Sequence, residues 1–136
     1  MNAISHHAAL IYVMVLVSAS DGNMSEGELR TIGHIVRTLP AFRGFDEHRL
    51  LAVSQECASI LQEQDGLDAV LGLIKDAVPE ELRETAYWLA LEVALTDTQV
   101  MLEEIRIVEL LRRTLEIDRL TAAALDRAAE ARYRSP

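Results

Sequence analysis

LIYVMVLVSASDGNMSEGELRTIGHIVRTL, residues 10–39, and AYWLALEVALTDTQVMLEEIRIVELLRRTL, residues 86–115, are one pattern written twice, 76 residues apart. Val17, Asp21, Glu28, Arg30, Arg37, Thr38 and Leu39 of the first stretch recur as Val93, Asp97, Glu104, Arg106, Arg113, Thr114 and Leu115 of the second. Each copy reads as an apolar helix, a polar turn and an amphipathic helix, so the chain is built on two helical hairpins. Matching Leu and Val alone decide little, because any two such hairpins share apolar spacing. An Asp and a Glu seven residues apart, at the same place in both copies, are a narrower coincidence.

The rest of the chain falls into place around these hairpins. Helix one spans about Ser5 to Ser20 and ends at Asp21-Gly22-Asn23. Ser25 and Glu28 form S-x-x-E, a capping box that opens helix two, which carries Leu29, Ile32, Ile35, Val36 and Leu39 on one face and stops at Pro40. Phe42 to Phe45 is a connector, and Asp46 caps helix three, whose apolar set is Leu50, Leu51, Val53, Ala58, Ile60 and Leu61. Asp65-Gly66 ends that helix, and helix four runs from Leu67 or Asp68 to Ala77. Pro79 followed by Glu80 and Glu81 marks the first turn of helix five, which extends to about Thr96. Helix six covers about Met101 to Leu115, with Ile105, Val108, Leu111 and Leu115 in register, and helix seven about Arg119 to Tyr133. No β-branched run alternates with polar residues, so no sheet is expected. The expected fold is all-α, about seven helices in a compact bundle with an internal pseudo-twofold repeat, packed around helices one and five.

Composition sets the outer bounds. A chain of 136 residues buries roughly two-thirds of its unfolded surface and holds one core, so residues 1–136 read as a single domain. Half the residues are apolar and 26% charged, which excludes disordered and collagen-like classes. The opening MNAISHHAALIYVMVLVSAS has no Lys or Arg ahead of its apolar run, so no secretory signal is expected. The run Ala8 to Val17 is far below the roughly 20 residues of a membrane span, so no membrane insertion is expected. Cys57 stands alone and has no nearby base, consistent with a semi-buried thiol in a reducing, cytoplasmic setting. A net charge of −9 disfavours nucleic acid and anionic lipid. That charge is uneven: from Arg106 onward seven Arg outnumber five acids.

The duplicated acids are the candidate site. An Asp just past a helix C-terminus faces partial negative charge, which costs roughly 0.3–1 kcal/mol. Either its side chain bonds backbone amides of the turn, or carboxylates from both hairpins share a hard cation of the calcium or magnesium class. Glu28 is already explained by the capping box, whereas Glu104 has Met101 where Ser25 would stand. Glu92, the one charge inside the apolar run of helix five, is read as solvent-exposed, with an additional ligand as the alternative. Asp21, Asn23 and Ser25 superficially resemble an EF-hand loop, but Glu26 and Ile32 stand where that loop needs Gly and Glu. His6, His7, His34 and His48 make no ligand pair by spacing and are given ordinary surface or packing roles.

With these residues the chain resembles the tellurite-resistance TerB family and its wider TerB-like superfamily. The resemblance rests on the apolar helix, Ser-Asp-Gly and Met-Ser-x-x-Glu, repeated as Thr-Asp with Glu103-Glu104 before Ile-Arg-Ile-Val-Glu-Leu-Leu, and spans about Ala8 to Ile117. It implies an all-α fold of about seven helices and a divalent-metal site, which falls by position on Asp21, Glu28, Asp97 and Glu104. It further implies a bacterial stress-response role, often in complexes at the inner face of the membrane. Thr98 and Met101 depart from Gly22 and Ser25 of the first copy, so the second turn is harder to build.

The resulting expectation is a non-enzymatic, metal-responsive interaction module with a protein partner. Zincin, di-iron, nucleophile-elbow and phosphate-loop motifs are all lacking, and a carboxylate-metal hydrolase is the least supported alternative. The main rival is a metal-free helical adaptor whose acids only cap helices. The last segment, LTAAALDRAAEARYRSP, reads as a packed terminal helix with cations in its last turn, or as a docking face for an acidic partner or a second copy.

Overall fold

The computed structural model describes residues 3–19, 24–96 and 102–136. Among them lie seven α-helices and no strand: α1 (His6–Ser18), α2 (Glu26–Thr38), α3 (Leu50–Leu61), α4 (Gly66–Ala77), α5 (Arg83–Ala94), α6 (Leu102–Thr114) and α7 (Arg119–Arg132). Short 3₁₀ turns at Pro40–Phe42, Glu47–Arg49 and Glu80–Leu82 join or precede them. The fold is all-α, as the periodicity requires.

The two apolar helices form the centre. Every residue of α1 from Ala8 to Ser18 is buried, and α5 is buried from Ala86 to Ala94 apart from half-buried Trp88. A helix apolar on every side has no solvent face and belongs in the interior. α1 packs on α5, with α3, α4 and α6 also against α1, and α6 and α7 against α5. Ser5 starts α1 by accepting the Ala8 amide at 3.1 Å.

The repeat survives into the helix boundaries. α2 and α6 begin and end 76 residues apart, the offset from Glu26 to Leu102, and α1 and α5 end at Ser18 and Ala94 with the same offset. Burial repeats too, since Leu29 on α2 and Ile105 on α6 are each 53% exposed. Both were assigned to apolar core faces by spacing, yet each sits at the edge of its stripe beside the solvent.

Several boundaries differ from the sequence reading for local reasons. Asp46 caps the Glu47–Arg49 turn rather than an α-helix, accepting the His48 amide at 3.0 Å. Pro79 likewise precedes a 3₁₀ turn, with the Leu82 amide donating to the Pro79 carbonyl at 2.9 Å, and α5 starts only at Arg83. α3 ends at Leu61, and Gly66 opens α4 instead of closing α3, with Asp65 before it at φ 59°. α3 is peripheral and fully buries only Val53 and Cys57, while Leu51 is 69% exposed.

Cys57 is wholly buried, not half so, and burial pushes its thiol up to about 12. The thiolate is the reactive form, so native protein should label with a thiol reagent only as fast as it opens. Equal labelling rates in buffer and in denaturant would contradict this placement.

No helix among the described residues is long and apolar enough to cross a membrane.

Candidate metal centre and the helix ends around it

The candidate ligands sit where each hairpin turns from its buried helix to its outer one. Ser25 caps α2, and the predicted capping box is complete: the Glu28 amide donates to Ser25 Oγ at 3.0 Å, and the Ser25 amide donates to Glu28 Oε1 at 2.8 Å. Glu28 is only 4% exposed. Glu104 occupies the matching place in the first turn of α6 and is also 4% exposed. A buried carboxylate is costly unless its charge is answered, and a helix N-terminus answers part of it. Asp21 and Asp97, the other two members of the candidate cluster, lie outside the described residues, as does Met101. Among the described residues no group of three or more His, Cys, Asp or Glu side chains is placed to hold an ion.

The end of α5 meets the middle of α2 at Thr96. Its hydroxyl donates to the Glu92 carbonyl at 2.9 Å and shares a 3.0 Å hydrogen bond with the Thr31 hydroxyl on α2. The chain leading out of α5 toward Asp97 is therefore tied to the helix that carries Glu28.

Glu92 corrects the sequence reading. It is 6% exposed, not solvated, because the C-terminal end of α7 lies over this side of α5. Arg132 Nε donates to Glu92 Oε1 at 2.7 Å, and the Tyr133 hydroxyl donates to the same oxygen at 3.1 Å. Burial first, and then the Glu92 charge, raise the Tyr133 phenol above its ordinary value. Both bonds fall on Oε1, so the Glu92 carboxylate is already the anchor of the α7 tether. Sequence reasoning missed this partnership because Arg132 lies 40 residues away and looked sufficient as a cation in a last helical turn.

Of the histidines, His7 takes a packing role, while His6, His34 and His48 are exposed. His7 stacks on Phe42 at 5.9 Å between ring centres and meets Phe45 edge-on at 5.5 Å. Burial, with His6 alongside, lowers its pKa. His48 faces Asp46 at 3.1 Å.

Three of the seven arginines from Arg106 onward are engaged by side chains of the fold. Arg112 bonds Glu109 at 2.7 Å and the Ile117 carbonyl at 3.1 Å, Arg113 reaches Glu109 at 3.3 Å, and Arg132 holds Glu92. Glu116, at φ 58°, lies 3.7 Å from Lys75 and 3.8 Å from Arg83. On α7 the one ion pair among the described residues is that of Arg132 with Glu92.

No curated protein and no solved structure matches the chain. A family model does: the one described as tellurite resistance protein TerB matches residues 7–128, from the first turn of α1 almost to the end of α7. With seven helices in the expected order and the hairpin repeat at its centre, the chain belongs to the TerB family.

Proposed function

We propose that this tellurite-resistance-related chain is a non-enzymatic, cytoplasmic stress-response module that holds a divalent cation of the calcium or magnesium class between its hairpins and presents a surface to a protein partner. The ligand set is Asp21, Glu28, Asp97 and Glu104. The observation that carries the reading is the symmetric burial of Glu28 and Glu104, each 4% exposed at the N-terminus of matched helices. Carboxylate oxygens are the donors that hard cations of this class take. A bound cation would supply positive charge against a body of net −9 and a bridge between the hairpins. The residues supply the rest: Ser25 fixes the Glu28 carboxylate through the cap, and Thr31 with Thr96 ties the end of α5 to α2.

A metal-free adaptor is the second reading, and one observation favours it. The capping box accounts for Glu28 Oε1 without any ion. The two readings part in thermal unfolding of chelator-stripped protein with added Ca²⁺, Mg²⁺, Mn²⁺ or Zn²⁺, beside an Asp21→Asn/Asp97→Asn variant. The cation reading predicts stabilisation by about 3 kcal/mol at a hundredfold excess over Kd, absent in the variant. An unchanged midpoint with every cation would leave the acids as caps and turn formers.

A further inference from the structure

The two hairpins are not equally covered. On the first, Ile11, Val15 and Ile32 are all closed over, with Ile32 2% exposed, and only Leu29 at the edge is as open as its counterpart Ile105. On the second, the matching face stays open as a groove of about 300 Å³, floored by Tyr87, Leu91 and Leu95 of the α5 segment and walled by Ile105 and Val108 of α6. Val108, the counterpart of Ile32, is only half-buried. One turn before Ile105 on the same face of α6, Leu102 is 81% exposed, so the apolar stripe from Val108 to Leu102 runs roughly 9 Å along the helix and leaves the groove at its last turn. A strip at i, i+3 and i+6 spacing that runs open-ended out of the groove suits a helix laid alongside.

The rim is acidic. Asp126 and Glu130, one turn apart on α7, border the groove, and neither makes an ion pair among the described residues. Asp126 is held in place by the Tyr87 hydroxyl, which donates to it at 2.6 Å. Glu109, on the α6 side, is offset by Arg112 and Arg113. An apolar floor with Glu130 and the Tyr87-held Asp126 along one wall, neither in an ion pair among the described residues, disfavours an anionic ligand and favours a cationic amphipathic one.

We propose that the groove between α5, α6 and α7 is a docking site for an amphipathic helical segment of a partner protein, with aliphatic side chains on one face and Lys or Arg beside them. This deepens the interaction part of the proposed function and rests on it, but not on cation binding.

The probe is a helical peptide of about four turns built only of Leu and Lys at i, i+3, i+4 spacing, with a Leu/Glu peptide of the same pattern as control. The expected result is saturable one-to-one binding of the Leu/Lys peptide, with amide shifts centred on Leu91, Leu95, Ile105 and Val108. Affinity should fall at least about tenfold in Val108→Asp and about fivefold in Glu130→Lys. The first of these is diagnostic, since added negative charge would strengthen purely ionic attraction to the acidic body. Ile105→Asp, at a half-exposed position, gives the same reading should Val108→Asp fail to fold. Binding that survives both apolar-to-Asp changes, equal binding of the Leu/Glu peptide, shifts elsewhere on the surface, or no binding would overturn the proposal. So would self-association abolished by Ile105→Asp, which would make a second copy the occupant. Repeating the titration in chelator and in Asp21→Asn/Asp97→Asn keeps the outcome separate from that of the cation reading.

Discussion

Gly66→Ala is expected to destabilise the protein by about 3 kcal/mol, lowering the thermal midpoint by roughly 10 °C. Gly66 is buried where α4 begins, and a Cβ there would collide with the Ile60 carbonyl oxygen and lie 2.9 Å from both Leu61 Cα and the Leu61 carbonyl carbon. All three obstacles are backbone of the end of α3, so no side-chain rotation relieves them. The short turn from Leu61 to Gly66 brings the two helices this close, with Asp65 already in the left-handed region at φ 59°. Gly72, six residues on in the same helix, has nothing within 4 Å of its added Cβ. Gly72→Ala should therefore stabilise by about 0.5–1 kcal/mol through helix propensity. Chemical denaturation of the two variants checks the pair, and equal effects would contradict the packing described for the α3–α4 corner.

The second large effect is expected at the α7 tether. Arg132→Ala leaves the Glu92 carboxylate, 8% exposed at its side chain, without its cation. Stripping the partner from a fully buried ion pair costs about 3–5 kcal/mol. Arg132 is 59% exposed, so solvent screens part of the loss and about 2 kcal/mol is the expected value. Arg134→Ala, at an exposed position two residues later, should change stability by less than about 0.5 kcal/mol. Glu92→Gln combined with Arg132→Ala should cost less than the sum of the two single changes, because the second substitution no longer strands a charge. Full additivity in that cycle, or equal losses from Arg132→Ala and Arg134→Ala, would mean that Glu92 is answered by something other than Arg132.

The sequence was most informative where a residue's role is local. Ser25 and Glu28 announced the start of α2 because a capping box acts within one turn, and the all-apolar stretches of α1 and α5 announced the core because they have no polar face to present. The offset of 76 residues located α6 from α2 because both copies carry the same spacing from the first-turn Glu to the apolar stripe. What it could not deliver depends on which elements become neighbours. Leu29 and Ile105 were read as core from periodicity, but whether the edge of an apolar stripe is covered is decided by the next helix over. Glu92 looked exposed because a lone charge in an apolar run usually is, and its partners Arg132 and Tyr133 arrive only through the packing of α7 on α5. Gly66 was read as a helix stop, since the close approach that demands glycine is a property of the corner and not of its own flanking residues. Of the four candidate ligands, two are seen at matched buried positions, and Asp21 and Asp97 lie outside the described residues.

If acids from both hairpins act as one site, carboxylate carbon NMR will show it. Chelator-stripped protein, labelled at its Asp and Glu side chains, would be titrated with Ca²⁺ and with Mg²⁺ while the carboxyl resonances are followed. The account predicts that Asp21, Glu28, Asp97 and Glu104 shift together along a single saturation curve for at least one of the two ions. Resonances of the two hairpins that move on separate curves, or shifts confined to exposed acids while these four stay still, would contradict it.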